Sequence, residues 1–481
     1  MRFHIPFSSL KEKILILLLG AAGSFIIAVM TAALGIVGPI LLIALAGAVF
    51  FLVAVCFNPK IGFITYICYT FFIPTLLKHN PAVPFGPLME GLLLLTWLSV
   101  GINHFKFRWT SLRNQHCILA LVWFIINLIE VVNPAGASIL GWFNEIRSTS
   151  VTWLLIAPLP FLLFDKKKDL DLFIYLIIGL SSFATIYGMK QLYIGLTAGE
   201  QAWLDAGNDL THIIFGKLRV FSFFTDAGQF GASQAHIGLI ALVLTFGSFK
   251  WWKKLLLAVA AGLLIYGMMI SGSRGALFAL VSGLFVAIFL SKRIKILIIG
   301  SLIALSALYL LKYTTIGNSW SYHIVRLRTS MDPEDPSLNV RFRNQKILRE
   351  ILASMPFGGG VGVSGTNGTT YNQDKLLSTV PPDSYWVKVW VMYGIVGFVV
   401  WFSIMTFIMG KCCGLIWNIK DPHLKVKLIA LVSGSVGVFI CSYGNEVINV
   451  VPSSMIVYIS WSFAFLGVRF DKESENSDIQ L

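Results

Sequence analysis

The sequence predicts an all-α polytopic integral membrane protein of about 14 transmembrane helices, with one long outer loop that holds a short amphipathic helix. Of its 481 residues, 56% are hydrophobic and only 12% charged, where a soluble domain has roughly 25% charged residues. Mean hydropathy is +0.78, and apolar runs repeatedly approach the length that crosses a bilayer. A soluble enzyme is thereby excluded. The third observation is the placement of basic residues, which alternates from one interhelical connection to the next.

Taken in order, the apolar runs place spans at 14–34, 38–56, 61–77, 87–103, 117–133, 149–164, 172–190, 229–249, 255–272, 275–291, 296–312, 385–409, 428–446 and 453–469. The first pair is joined by a very short turn, Gly35 to Gly38. These spans divide the chain into N-terminal transmembrane helices (1–190), a transmembrane core with an outer loop and the SGSRG segment (191–312), and a long outer loop (313–384). C-terminal transmembrane helices (385–470) and a polar tail (471–481) follow. The N-terminal run continues without a small-residue cleavage site and reads as a retained signal anchor.

An N-terminus on the inside puts 22 of the 37 Lys and Arg residues on cytoplasmic connections, among them Lys166 to Lys168, Lys250, Lys253, Lys254, Lys411, Lys420, Lys425 and Lys427. That asymmetry orients the protein with both ends inside. The net charge of +14 is then mostly topology, and nucleic acid is not an expected partner. Six cysteines lie in or beside apolar spans without metal-ligand spacing, so neither a disulfide scaffold nor a metal site is expected, and the sequence calls for no cofactor.

The basic residues left on the outer side form a different population. Arg147, Arg219, Arg274, Arg341 and Arg343 reach one side of the bilayer from distant parts of the chain. Charge at a hydrocarbon boundary is costly and usually faces a cavity or a partner. The planar arginine fork grips phosphate oxygens at two points, so converging arginines suit a diphosphate leaving group without a metal. Each could instead snorkel singly to lipid phosphate. Arg274, set between two spans by the turn SGSRG, is the strongest candidate.

Asp383 stands at the end of the long loop, at the mouth of the next span. It reads two ways, as a base for an acceptor hydroxyl or as a helix N-cap. Tyr385 and Lys388 lie about a turn away and could orient a sugar or anchor the interface. His212, His236 and His323 are alternative bases, and Glu90, Glu130 and Glu446 at spans keep a transporter in view. In the loop, Ser337 is a plausible N-cap for LNVRFRNQKILREILASM, where Ile347, Leu348, Ile351, Leu352 and Met355 form an apolar stripe beside Arg341, Arg343 and Arg349. Gly360, Gly362 and Gly365 match G-x-G-x-x-G, but no strand precedes them, and they read as a flexible turn or an anion-facing one.

In order, RVFSFFTDAGQFG, ISGSRGALFALVSG, VRFRNQKILREILASMPFGGGVG and PPDSYWVKVWVMYGIVGF resemble the O-antigen ligase and O-antigen/exopolysaccharide polymerase superfamily over about residues 215–400. The resemblance implies a bacterial inner-membrane glycosyltransferase whose site opens to the periplasm. Its donor would be a polyprenyl-diphosphate-linked glycan, passed to a glycan or glycolipid acceptor. On this basis Arg219 and Arg274 would bind the diphosphate, helped by Arg341 or Arg343. The ligase branch usually has a histidine, often His-Asn, where this chain has Asp383-Ser384, which points to polymerisation or another acceptor. The alternative from a different class is a lipid-linked glycan flippase or another transporter.

Overall fold

The computed structural model describes residue 21, residues 23–25, 28–214, 216–292 and 336–479, with isolated positions between 302 and 328. It is helical almost throughout. Among the described residues, eleven helices are long and apolar enough to cross a membrane, and two shorter apolar helices, Gly23–Leu34 and Arg274–Leu290, accompany them. The chain is an all-α polytopic membrane protein. The expected span 296–312 lies outside the described residues, as does the start of the first.

Two compact units are distinguished. One comprises residues 1–62 and 94–104. Within it Ser99 Oγ donates to Val55 O at 2.6 Å and Asn103 Nδ2 to Cys56 O at 2.8 Å, so small polar side chains act as interhelical glue where water is absent.

The second unit, residues 63–93 and 105–481, contains the expected site. Its central helix, Ala227–Thr245, is almost entirely enclosed by Trp251–Ile270, Arg274–Leu290 and Pro422–Cys441. In a bilayer, apolar burial alone does not drive helices together, so close approach of small residues does much of the work. A Cβ on Gly437 would stand 2.4 Å from Ala279 O, and one on Gly283 2.7 Å from Ser433 O. Only glycine fits at either place.

Polar contacts tie together the helix ends at the lysine-rich end of this unit. Lys167 Nζ pairs with Asp421 Oδ2 at 2.7 Å, and Asp421 caps Pro422–Cys441 by accepting from His423 N and Leu424 N. Burial alone would raise the Asp421 carboxyl, but Lys167 and these N–H groups together outweigh it and hold the group below its ordinary value.

Three boundaries differ from the sequence reading. The span expected at 149–164 begins earlier, at Ile139, and carries a π-helical turn at Arg147–Val151. The span expected at 428–446 is Pro422–Cys441, which leaves Glu446 in a loop beyond the helix end. The span expected at 385–409 becomes Tyr385–Trp417, broken at Gly394, where φ is +64°. Periodicity does not reveal such a break, because both halves are apolar. The backbone carbonyls it frees are used: Gly359 N donates to Val391 O and Gly360 N to Met392 O, both at 2.9 Å. A Cβ on Gly394 would lie 2.1 Å from Pro356 O.

Gly394→Val should therefore destabilise the protein by more than the roughly 1–3 kcal/mol of the backbone conformation alone. Gly410→Ala, whose Cβ meets nothing within 4 Å, should be neutral or slightly stabilising. Thermal unfolding in detergent checks both, and equal midpoints would contradict the account.

Candidate functional site

The site is assembled around the loop that follows Cys441. Tyr385 N donates to Ser442 O at 3.0 Å, and Ser384 Oγ donates to the same carbonyl at 3.3 Å. Ser384 also caps the helix by accepting from Val387 N. The cap is thus Ser384, and Asp383 is released from that role. Asp383 sits half-buried at φ +55°, a left-handed conformation that aspartate tolerates better than most residues. Asn344 Nδ2 donates to its Oδ2 at 3.0 Å, which fixes the carboxylate against the arginine-bearing helix.

That helix is Pro336–Leu352. Ser337, expected as its cap, lies inside its first turn. Leu348 and Leu352 are buried and the helix packs on Tyr385–Trp417, so part of the apolar stripe meets protein. Arg341 Nη1 lies 3.7 Å from where a Cβ on Gly444 would stand. Arg343 faces outward, exposed.

Arg274 opens the helix Arg274–Leu290 after the turn at Gly272, whose φ is +57°. The residues on both sides of it meet Asn445: Asn445 Nδ2 donates to Ser273 Oγ at 3.4 Å, and a Cβ on Gly275 would be 2.8 Å from Asn445 Nδ2. The segment 442–446 is thus met by the neighbours of Arg274 (Ser273 and Gly275), by the neighbours of Asp383 (Ser384 and Tyr385) and by the side chain of Arg341.

Lys388 is buried between two carboxylates, 3.0 Å from Glu145 Oε1 and 3.0 Å from Glu446 Oε2. Asn367 Nδ2 donates to Glu145 Oε2 at 2.7 Å. The group carries two negative charges against one positive. Lys388 therefore secures Glu446 rather than presenting a free ammonium, and Tyr385 is buried with its ring edge-on to Trp401. Glu446, which the sequence offered with Glu90 and Glu130 only as a span carboxylate of the transporter kind, has Lys388 as its partner. Its signal was a lone carboxylate beside an apolar run, which is common.

The glycines at 360, 362 and 365 prove to be packing positions. A Cβ on Gly362 would stand 2.4 Å from Gly141 O, and one on Gly365 3.3 Å from Lys388 Nζ. All three have positive φ, so the expected flexible turn is a fixed one. Around the same loops, Gln229 Oε1, Ser364 Oγ, Asn449 Oδ1, Ser453 Oγ and Ser454 Oγ are buried without a hydrogen-bond partner among the described residues. Buried polar atoms of this kind call for an explanation, and a polar ligand supplies one.

The remaining candidates lie to the sides. Arg147 pairs with Glu90 at 2.5 Å on the π-helical turn two residues from Glu145. Arg219 follows the hairpin Ile213–Ile214/Lys217–Leu218, and its Nη1 donates to Thr211 O at 2.8 Å. The next residue, Val220, donates to Ile270 O, which closes the helix preceding Arg274. Lys78 Nζ lies over the rings of Trp203 and Phe221, at 4.2 and 4.0 Å. His212 is buried, and its Nε2 accepts from Ala227 N at 3.2 Å while Nδ1 meets Asn208 O at 2.9 Å. The imidazole is held in one neutral tautomer, and burial pushes its pKa below the ordinary value. His236 is buried in the central helix, against Gly434. His323 lies outside the described residues.

A helical bundle with Lys388 buried between two carboxylates at its helix ends defines a polytopic membrane protein with a polar cluster there. Residues 259–402 match the family model described as O-antigen ligase. The likeness to the O-antigen ligase family is confined to that segment, less than half of the chain. Arg274, Arg341, Arg343, Asp383, Tyr385 and Lys388 fall within the matched segment; Arg147, Arg219 and Glu446 lie outside it. The comparisons with curated proteins and with solved structures gave no match.

Two outcomes follow. Lys388→Met should cost about 3–5 kcal/mol, because it strands two carboxylates, and adding Glu145→Gln should recover part of that in thermal unfolding. For His212, a lowered folded pKa means that its contribution is complete above about pH 6.5 and declines as pH falls below that. Hydrogen exchange over 198–230 should speed up between pH 7 and 5 after correction for intrinsic rates. A flat response identical to that of His212→Gln would contradict the assignment.

Proposed function

We propose that the protein is a membrane glycosyltransferase that transfers or polymerises a polyprenyl-diphosphate-linked glycan at the periplasmic face of a bacterial inner membrane, with both termini cytoplasmic. The observation that supports this reading is that Arg341 and the residues next to Arg274 and Asp383 meet the segment 442–446, whose Glu446 pairs with Lys388. The family match, which covers residues 259–402, supports the general class.

In the proposed step, Asp383 takes the proton of an acceptor hydroxyl. The resulting oxygen attacks the anomeric carbon, and the bond from that carbon to the diphosphate oxygen breaks. The lipid diphosphate leaves with the bonding electrons, and its charge is met by Arg274 and Arg341, with Arg219 and Arg343 at the margins. Fixed cations aimed at developing charge are usually the largest catalytic contribution. The hydrogen bond from Asn344 holds Asp383 in place, while Lys388 and Tyr385 shape the wall. Arg147, paired with Glu90, has no direct part in this step.

Purified protein supplied with a lipid-diphosphate-linked glycan should release lipid diphosphate and form a glycosidic bond. A flippase would move the donor and release neither product. Arg274→Ala and Asp383→Asn should each lower turnover by about 10²–10⁴-fold with insertion intact, and wild-type rates in both would show that the site lies elsewhere. Arg219→Lys keeps the charge but loses the fork, so it should still weaken donor binding.

A further inference from the structure

The lysine-rich end of the second unit holds a cavity that the proposed reaction does not use. It has a volume of about 430 Å³ and lies between Lys167–Tyr193 and Trp251–Ile270, within the range of pockets that take a small ligand, roughly 300–1,000 Å³. The helix Trp251–Ile270 rises about 30 Å, so this cavity and Arg274 stand at its opposite ends.

The cavity has two chemically different parts. Ile174, Ile178, Leu256, Leu257 and Ala260 make an apolar wall. Leu256, Tyr175 and Trp252 are also exposed on the flank of the bundle, which in a bilayer is the side facing lipid. At the mouth stand Lys253 and Lys427. Asp171 Oδ1 lies 2.5 Å from Lys427 Nζ and neutralises it. The half-buried Lys253, flanked by Lys250 and Lys254, leaves the mouth positive. The first turn of its helix contains no acidic residue.

A soluble ligand would have to cross headgroups to reach apolar walls that open sideways. A lipid chain can enter from the bilayer itself, and Trp252 and Tyr175 are the residue types that mark headgroup level. Basic pockets between helices on the cytoplasmic side suit anionic headgroups. We infer that this cavity holds an acyl chain of an anionic phospholipid, with the phosphate against Lys253. The inference is independent of the proposed reaction.

The test is native mass spectrometry of the full-length protein in detergent, titrated separately with phosphatidylglycerol and phosphatidylcholine. The wild type should retain phosphatidylglycerol in preference. Lys253→Gln should reduce that preference about fivefold, the effect of one basic residue near an anionic headgroup. Gly179 lines the cavity and a Cβ there meets nothing within 4 Å, so Gly179→Leu should fill the space without disturbing the helices and abolish the retained lipid. Equal retention of the two lipids by the wild type would mean annular lipid only. Unchanged retention in Gly179→Leu, or an unchanged preference in Lys253→Gln, would equally overturn the proposal.

Discussion

The ammonium of Lys388 between Glu145 and Glu446 is the interaction on which the site end of the molecule depends. It connects the helix beginning at Ile139, the helix beginning at Tyr385 and the loop after Cys441, and Asn367 adds the short helix Gly365–Tyr371. Burying one cation among apolar helices is unfavourable. Burying it with two carboxylates and an amide that completes their hydrogen bonding makes the arrangement tolerable, and it holds only when all the parts arrive together. The same geometry explains why the segment 442–446 has a defined course. Its Glu446 is held from one side by Lys388, while Ser442 takes two hydrogen bonds from the start of the helix at Tyr385.

Glycine is the second constraint. Ala279 O against Gly437, Ser433 O against Gly283 and Gly141 O against Gly362 are contacts between backbones. They allow the helix ends to come close enough for short side chains such as Ser273, Ser384 and Asn445 to bridge them. Long side chains would be needed across wider gaps, and their freedom would blur the position of Arg274.

The fold was largely legible because it follows from a solvent. Apolar runs of bilayer length must be helices, and lysines mark one side, so most span positions and the helix 336–352 could be read directly. The departures have local causes. The break at Gly394 is invisible to periodicity because both flanks are apolar, and the helix start at Ile139 was hidden because Glu145 and Arg147 interrupt the apolar run. The approach of Arg341 and of the residues beside Arg274 to the segment 442–446 was legible only as a shared side of the chain. It depends on Asn445 and Gly444, which carry no pattern of their own. Pair partners were the least legible: Glu145 was not singled out, and without it Lys388 looked like a free cation.

The broken helix also has a mechanical meaning. Because Gly359 and Gly360 are hydrogen-bonded to the carbonyls at the break, the chain just after the arginine helix is stitched to a membrane-spanning rod. The C-terminal end of Pro336–Leu352 is thus a fixed axle only a few residues long. Val396 N, which donates to Pro356 O at 3.2 Å, ties the same stretch a third time.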